Sequence, residues 1–168
     1  TLMYAAYRGH EKVVAQLISA GAKVDEKDEK TALTIAARYQ IIETTLLLSL
    51  HSVLSQEERR ELLQRFNRKM RPVISDPYDY LHNNLEMKKR IIPCLFLERH
   101  ELQKRWREHL RDLAPKLFLW RKKNPKLHLP FIPEMAIKIA KHAFPDHLER
   151  AFSRLEDIEK RLQIEPRK

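Results

Sequence analysis

Leu2-x-x-Ala5-Ala6-x-x-Gly9-His10-x-x-Val13-Val14-x-x-Leu17-Ile18-x-x-Gly21-Ala22 opens the chain, and Thr31-Ala32-Leu33-x-x-Ala36-Ala37 followed by Leu46-Leu47-Leu48 repeats its plan. Ala5 and Ala6 are small enough to let two helices approach closely. Gly9 can take the left-handed conformation that closes a helix at low steric cost. Val13, Val14, Leu17 and Ile18 fall at i, i+1, i+4 and i+5, an apolar stripe at the helical period. Gly21-Ala22 marks the end of that second helix. The polar run 23–30 reads as a hairpin-like finger leading into the second unit.

This pattern resembles one unit of an ankyrin repeat, and the second stretch resembles the start and body of the next, together over roughly residues 1–50. Three departures stand out. Ala5 and Ala36 are 31 residues apart, against a family period of about 33, and the usual Gly before the Thr-Pro-Leu motif is absent. Ala32 takes the proline place in the second unit, and Thr1 takes it in the first. Tyr39-Gln40 stands where the first unit has Gly9-His10. These departures place the second unit near the edge of an array, where terminal repeats are atypical.

The resemblance implies stacked helix pairs that present a concave face to another protein and carry no chemistry of their own. It implies partner-binding candidates at finger tips and first helices: Met3, Tyr4, Tyr7, Arg8, Lys27, Asp28, Thr34 and Arg38. Two units are fewer than the three or so that a stable stack needs. The chain also starts inside a unit, without Met. Either further repeats precede Thr1, or the helices after residue 50 cap the stack.

Among the 168 residues 33% are charged, 2 are Gly and 9 are Pro. That suits helices punctuated by prolines better than sheets with glycine turns, and no run alternates apolar and polar residues. The fold expected is all-α: an ankyrin-repeat helical solenoid end over 1–52, packed on a helical C-terminal domain over 53–168. Charge changes at that boundary. Residues 1–50 hold six basic and six acidic side chains, so the rest of the chain carries the whole net +10. Cys94 is the single cysteine, which excludes an internal disulfide and fits an intracellular, cytoplasmic setting. No apolar run approaches the eighteen or so residues of a membrane span.

In the second half, Ser55 and Glu58 form a capping box that starts a helix over about 55–70. Pro72 and Pro77 bracket a loop. A helix over 78–90 is expected to break at Pro93, and a charged helix over 98–113 carries Leu102, Trp106, Leu110 and Leu113. A short helix over 115–123 stops at Asn124-Pro125, and 126–131 reads as extended linker. Pro133 starts another helix, and Asp146 caps the last, with Leu148, Ala151, Phe152, Leu155, Ile158 and Leu162 at helical spacing.

Catalytic signatures are missing. No family signature surrounds Cys94, and a small buried cysteine is the simpler account. The eight His residues do not fall at metal-ligand spacing. Gly9 and Gly21 belong to the repeat, which leaves no glycine for a phosphate loop. Residues 99–126 carry ten basic and three acidic side chains. Lys104, Arg105, Arg107, Arg111, Arg121, Lys122 and Lys123 are therefore candidates to follow the phosphates of a nucleic acid or an anionic membrane. Glu108 and Asp112 interrupt that field, as they would on an ordinary solvated helix face. Residues 132–145 resemble the opening of an F-box, the segment that some viral and bacterial ankyrin proteins use to recruit a ubiquitin ligase. The expected function is a protein–protein interaction adaptor or scaffold, without enzyme activity, cofactor or metal. Its expected partner is another protein, and the unfamiliar C-terminal half also admits a secreted pathogen effector working in host cytoplasm.

Overall fold

The structure is a computed structural model that describes residues 1–24, 31–123 and 146–164, the side chains of 114–123 and of residue 147 excepted. Every regular element among them is a helix. α1 (Leu2–Arg8) and α2 (Glu11–Ser19) form the first unit, and α3 (Ala32–Arg38) and α4 (Ile42–His51) form the second. α1 packs on α2 and α3, and α2 packs on α4, which is the stacking expected of successive repeat units.

The turns inside the units follow from backbone chemistry. Gly9 has φ 69°, with its N–H donating to Ala6 O at 3.2 Å and the His10 N–H donating to Ala5 O at 3.1 Å. Those two bonds satisfy carbonyls that the helix end leaves open. A Cβ at Gly9 would lie 3.0 Å from Ile41 Cγ2, so the same residue also sets how closely the second unit approaches. Thr31 caps α3 by accepting from the Thr34 N–H at 3.2 Å. In α2, Val14, Ala15 and Ile18 are buried and Leu17 is half-buried, whereas Val13 is exposed.

α4 is the central helix. Residues 44–51 are all buried, as befits an element covered on every side. The helices after residue 51 supply much of that cover. α5 (Gln56–Arg65), α6 (Arg71–Ser75) and α7 (Pro77–Asn83) lead into the long α8 (Leu85–Lys123), and α9 (Asp146–Leu162) follows. α6, α7 and α8 pack on α4, α8 packs most extensively on α2, and α9 packs on α7 and α8. Met70 and Ile74 close over Ala37, with Ile42, Leu63 and Phe66 around them. α5 and α6 thus cap the open side of the second unit.

Four expectations for the second half are corrected. The capping box forms as expected, with the Ser55 N–H donating to Glu58 Oε2 at 2.8 Å, but α5 stops at Arg65 because Asn67 turns the chain, its Oδ1 accepting from the Met70 N–H at 3.2 Å. The stretch between Pro72 and Pro77 is not a loop. Both prolines sit in first helical turns, where the missing N–H has no intrahelical partner to lose. The helix expected over 78–90 is split at Asn84, whose Oδ1 accepts from the Met87 N–H at 3.1 Å and caps α8. α8 then runs unbroken through Pro93 and Pro115 to Lys123. The expected linker over 126–131, the helix from Pro133 and the F-box-like stretch over 132–145 lie outside the described residues.

Candidate partner-binding surface

Because α8 lies on α2 and α4, the C-terminal helices cover the second-helix layer of the repeat units. The first-helix layer, α1 and α3, keeps an outward face. Its alternate turns hold Met3, Tyr4, Tyr7 and Arg8 on α1, and Arg38 with Tyr39 at the end of α3, all exposed. Tyr4 is 62% exposed and Tyr39 56%, high values for aromatic rings on a folded surface.

These side chains are ordered relative to one another. Tyr7 and Tyr39 meet edge to face with ring centroids 4.6 Å apart and an interplanar angle of 83°, the arrangement that the ring quadrupoles favour. The Arg8 guanidinium lies 5.5 Å from the Tyr4 ring centroid and 5.9 Å from that of Tyr7, within cation–π range of both. Arg8 Nε also donates to Tyr4 Oη at 3.2 Å. The Tyr7–Tyr39 contact bridges two successive units, so the patch is built by the stacking itself. Beside it, a cleft of about 270 Å³ is lined by Arg38, Gln40, Arg65, Phe66 and Asn67 with Thr34 and Ala37.

The expected partner-binding residues therefore separate into groups. Tyr4, Tyr7 and Arg8 come together, and Arg38 sits beside them at the cleft. Thr34 is only 8% exposed and its hydroxyl donates to Thr31 O at 2.9 Å. Its place is inside the cap of α3 and not on an open face, because the N3 position of a capped helix turns back onto its own first turn. Lys27 and Asp28 lie outside the described residues. Tyr39 was missed by the sequence reading, although an aromatic in the slot that follows a first helix was visible as a departure from the repeat.

The basic candidates are less concentrated. Lys104, Arg107 and Arg111 are exposed and share one face of α8 by their spacing of three and four. Glu108 is exposed on that face too and divides it. Arg105 is only half-buried, yet its Nε is buried and has no hydrogen-bond partner among the described residues. Arg121, Lys122 and Lys123 belong to the last turn of α8, and their side chains lie outside the described residues. Trp106, expected to face the core, is half-buried and stacks near His109 with centroids 6.3 Å apart.

Cys94 is 1% exposed, and burial first, then the Glu11 charge, pushes its thiol up to about 11. A nucleophilic cysteine needs the opposite shift and access to solvent. Among the described residues no group of three or more His, Cys, Asp or Glu is placed to hold a metal ion, and no helix is long and apolar enough to cross a membrane.

Comparison with known proteins agrees with this architecture. The family model described as "Ankyrin repeats (3 copies)" matches residues 1–61, and the remainder matches no family model. No curated protein and no solved structure gives a significant match. Residues 1–61 are ankyrin repeats, a module for protein–protein interaction.

Proposed function

We propose that this chain, with ankyrin repeats over residues 1–61, is an adaptor that holds a partner protein on the outer face of α1 and α3. The observation that carries the reading is the exposed Tyr7–Tyr39 pair at 4.6 Å, joined to Tyr4 through Arg8. Tyr and Arg supply a large share of interface hot spots. Aromatic rings offer wide contact area while ordering few torsions. Here the helices and the ring contacts hold the side chains in place before any partner arrives, so little ordering entropy is lost on binding. The role asks for no catalytic group.

The competing reading uses a different surface, the Lys104, Arg107 and Arg111 face of α8, and a polyanion as partner. It carries a different signature, because phosphate contacts release counterions and weaken steeply with salt. Affinity capture from nuclease-treated lysate separates the two. The wild-type chain is compared with a Tyr7→Ala/Tyr39→Ala variant and with a Lys104→Gln/Arg107→Gln/Arg111→Gln variant. A protein partner retained at moderate salt by the wild type and the glutamine variant, and reduced about tenfold or more by the tyrosine variant, is the expected result. Retention by the tyrosine variant together with loss in the glutamine variant overturns the proposal.

A further inference from the structure

We infer that the open cavity lined by the end of α4, the start of α5, the first turn of α7 and one face of α9 binds a small organic phosphate. The cavity measures about 540 Å³, within the range of small-molecule sites and well above what an inorganic phosphate fills. It is assembled from segments far apart in sequence. Ser49 closes α4, Arg59 comes from α5, Tyr78 from α7, and Arg154, Asp157 and Arg161 from successive turns of α9.

Its charges are unequal. Three guanidiniums line the cavity against two carboxylates, and both carboxylates are already engaged. Asp157 Oδ2 lies 3.1 Å from Arg161 Nε, and Asp76 Oδ1 accepts the Asp79 N–H at 3.0 Å to cap α7. Arg59 and Arg154 have no carboxylate partner among the described residues. Each is instead pinned through Nη1 to backbone carbonyls, Arg59 to Ile74 O and to Ser75 O at 3.3 Å, Arg154 to His51 O at 3.0 Å. Both are half-buried. A guanidinium held by one terminal nitrogen keeps further N–H donors in a fixed fork, the geometry that suits phosphate oxygens. Two cations without counter-charge match one phosphomonoester dianion.

Neutral donors complete the wall. Ser49 is 3% exposed, and its buried Oγ has no hydrogen-bond partner among the described residues. Such a hydroxyl costs free energy unless something fills its bonding capacity. Tyr78 is half-buried beneath Arg161, whose guanidinium carbon lies 5.1 Å from the ring centroid. Burial raises the Tyr78 hydroxyl above its ordinary value against the opposing pull of Arg161, so it stays a neutral hydrogen-bond donor at neutral pH. Leu54 and Ile158 contribute apolar wall for the organic part of the ligand.

Isothermal titration of the full chain at moderate salt tests the site with inorganic phosphate and phenyl phosphate as probes. Saturable one-to-one binding of phenyl phosphate, tighter than that of inorganic phosphate, is expected. Arg161→Gln removes an exposed side chain and leaves the fold intact; it should weaken phenyl phosphate about tenfold, and Arg154→Gln should do the same or more. Lys104→Gln/Arg107→Gln, remote on α8, should leave binding unchanged. Three results overturn the inference: no saturable binding of phenyl phosphate, affinity indifferent to both arginine variants, or an equal loss in the α8 variant, which would reduce the effect to general attraction by the net positive charge.

Discussion

Gln40 shows how a repeat keeps its geometry after losing its signature. It has φ 57°, with its N–H donating to Ala37 O at 3.1 Å and the Ile41 N–H donating to Ala36 O at 3.0 Å. Those are the bonds that Gly9 and His10 make one unit earlier. A side chain in the left-handed region costs about 1 kcal/mol that glycine does not incur. Gln40→Gly should therefore raise the unfolding midpoint by a few degrees; a lower midpoint would mean that the Gln40 side chain contributes contacts outweighing its strain. Cys94 makes a second prediction at this scale. Its thiol is buried, raised to about 11, and within 3.6 Å of Arg90 O. Native protein at pH 8 should resist iodoacetamide and react only after denaturant is added. The shift also has a stability consequence. The folded chain holds the thiol proton more tightly than the unfolded one, so the contribution is complete below pH 9 and is lost as pH rises toward 11. Denaturant titrations of wild type and Cys94→Ala at pH 8 and pH 10.5 read it out: the variant should lose less stability between the two, by up to about 2 kcal/mol.

At the scale of elements, α8 is the instructive case. Pro93 removes one ladder hydrogen bond and crowds the preceding turn, at a typical cost of about 3 kcal/mol, and yet the helix continues. Ile91, Cys94, Leu95, Glu98 and Leu102 are all buried on one face that crosses the proline, and that face lies on α2 and α4. Packing overrides the local preference. Pro93 itself is exposed, so Pro93→Ala should stabilise the protein by about 1–3 kcal/mol in denaturant titrations. No gain, or a loss, would mean that the fixed backbone angle of Pro93 helps to seat α8. The continuity of α8 was partly legible: Ile91, Leu95, Glu98 and Leu102 keep helical spacing across residue 93, but a proline and a buried glutamate both argue against reading them as one stripe. A cap was legible at Ser55, where a short polar side chain is followed by Glu58 three places on, whereas the cap at Thr31 passed as part of the repeat motif. Caps were missed at Asn67 and Asn84, where the surrounding periodicity suggested that the helix carries on. The repeat units were the easiest part to read, because small residues and turn glycines leave few alternatives. The Tyr7–Tyr39 patch was half legible, since α1 was recognisable as a first helix while the meeting of residues 32 positions apart depends on how the units stack.

For the whole molecule, the decisive interactions join residues that no local pattern connects. Val14 and Leu46 from the repeats, Val73, Leu81 and Leu95 from the following helices, and Leu155 from α9 belong to one buried cluster. Polar links run the same way. His51 Nε2 lies 3.0 Å from Glu98 Oε2 with both side chains 1% exposed. Arg90 Nη1 meets Glu43 Oε1 at 2.5 Å, and Arg99 grips the buried Glu159 through two nitrogens. Two repeat units alone do not bury enough surface to be stable. In this chain α6, α7 and α8 cover the central α4, which would otherwise expose Leu46, Leu47, Leu48 and Leu50 in part. A fragment of residues 1–61 should accordingly lack a cooperative thermal transition by circular dichroism. The full chain carrying Trp120→Phe, which leaves Trp106 as its single tryptophan, should unfold in one step, with helical signal and Trp106 fluorescence changing at the same denaturant concentration, as a shared core requires. Arg99→Ala sharpens the test, because it strands the Glu159 carboxylate in the core at a cost of about 3 kcal/mol or more. If the core is shared, that loss at the contact of α8 with α9 lowers the midpoint of the repeats as well. A midpoint that falls for Trp106 while part of the helical signal keeps its original transition would show that the repeats fold as a separate unit, and that the core clustered around α4 is two cores in contact.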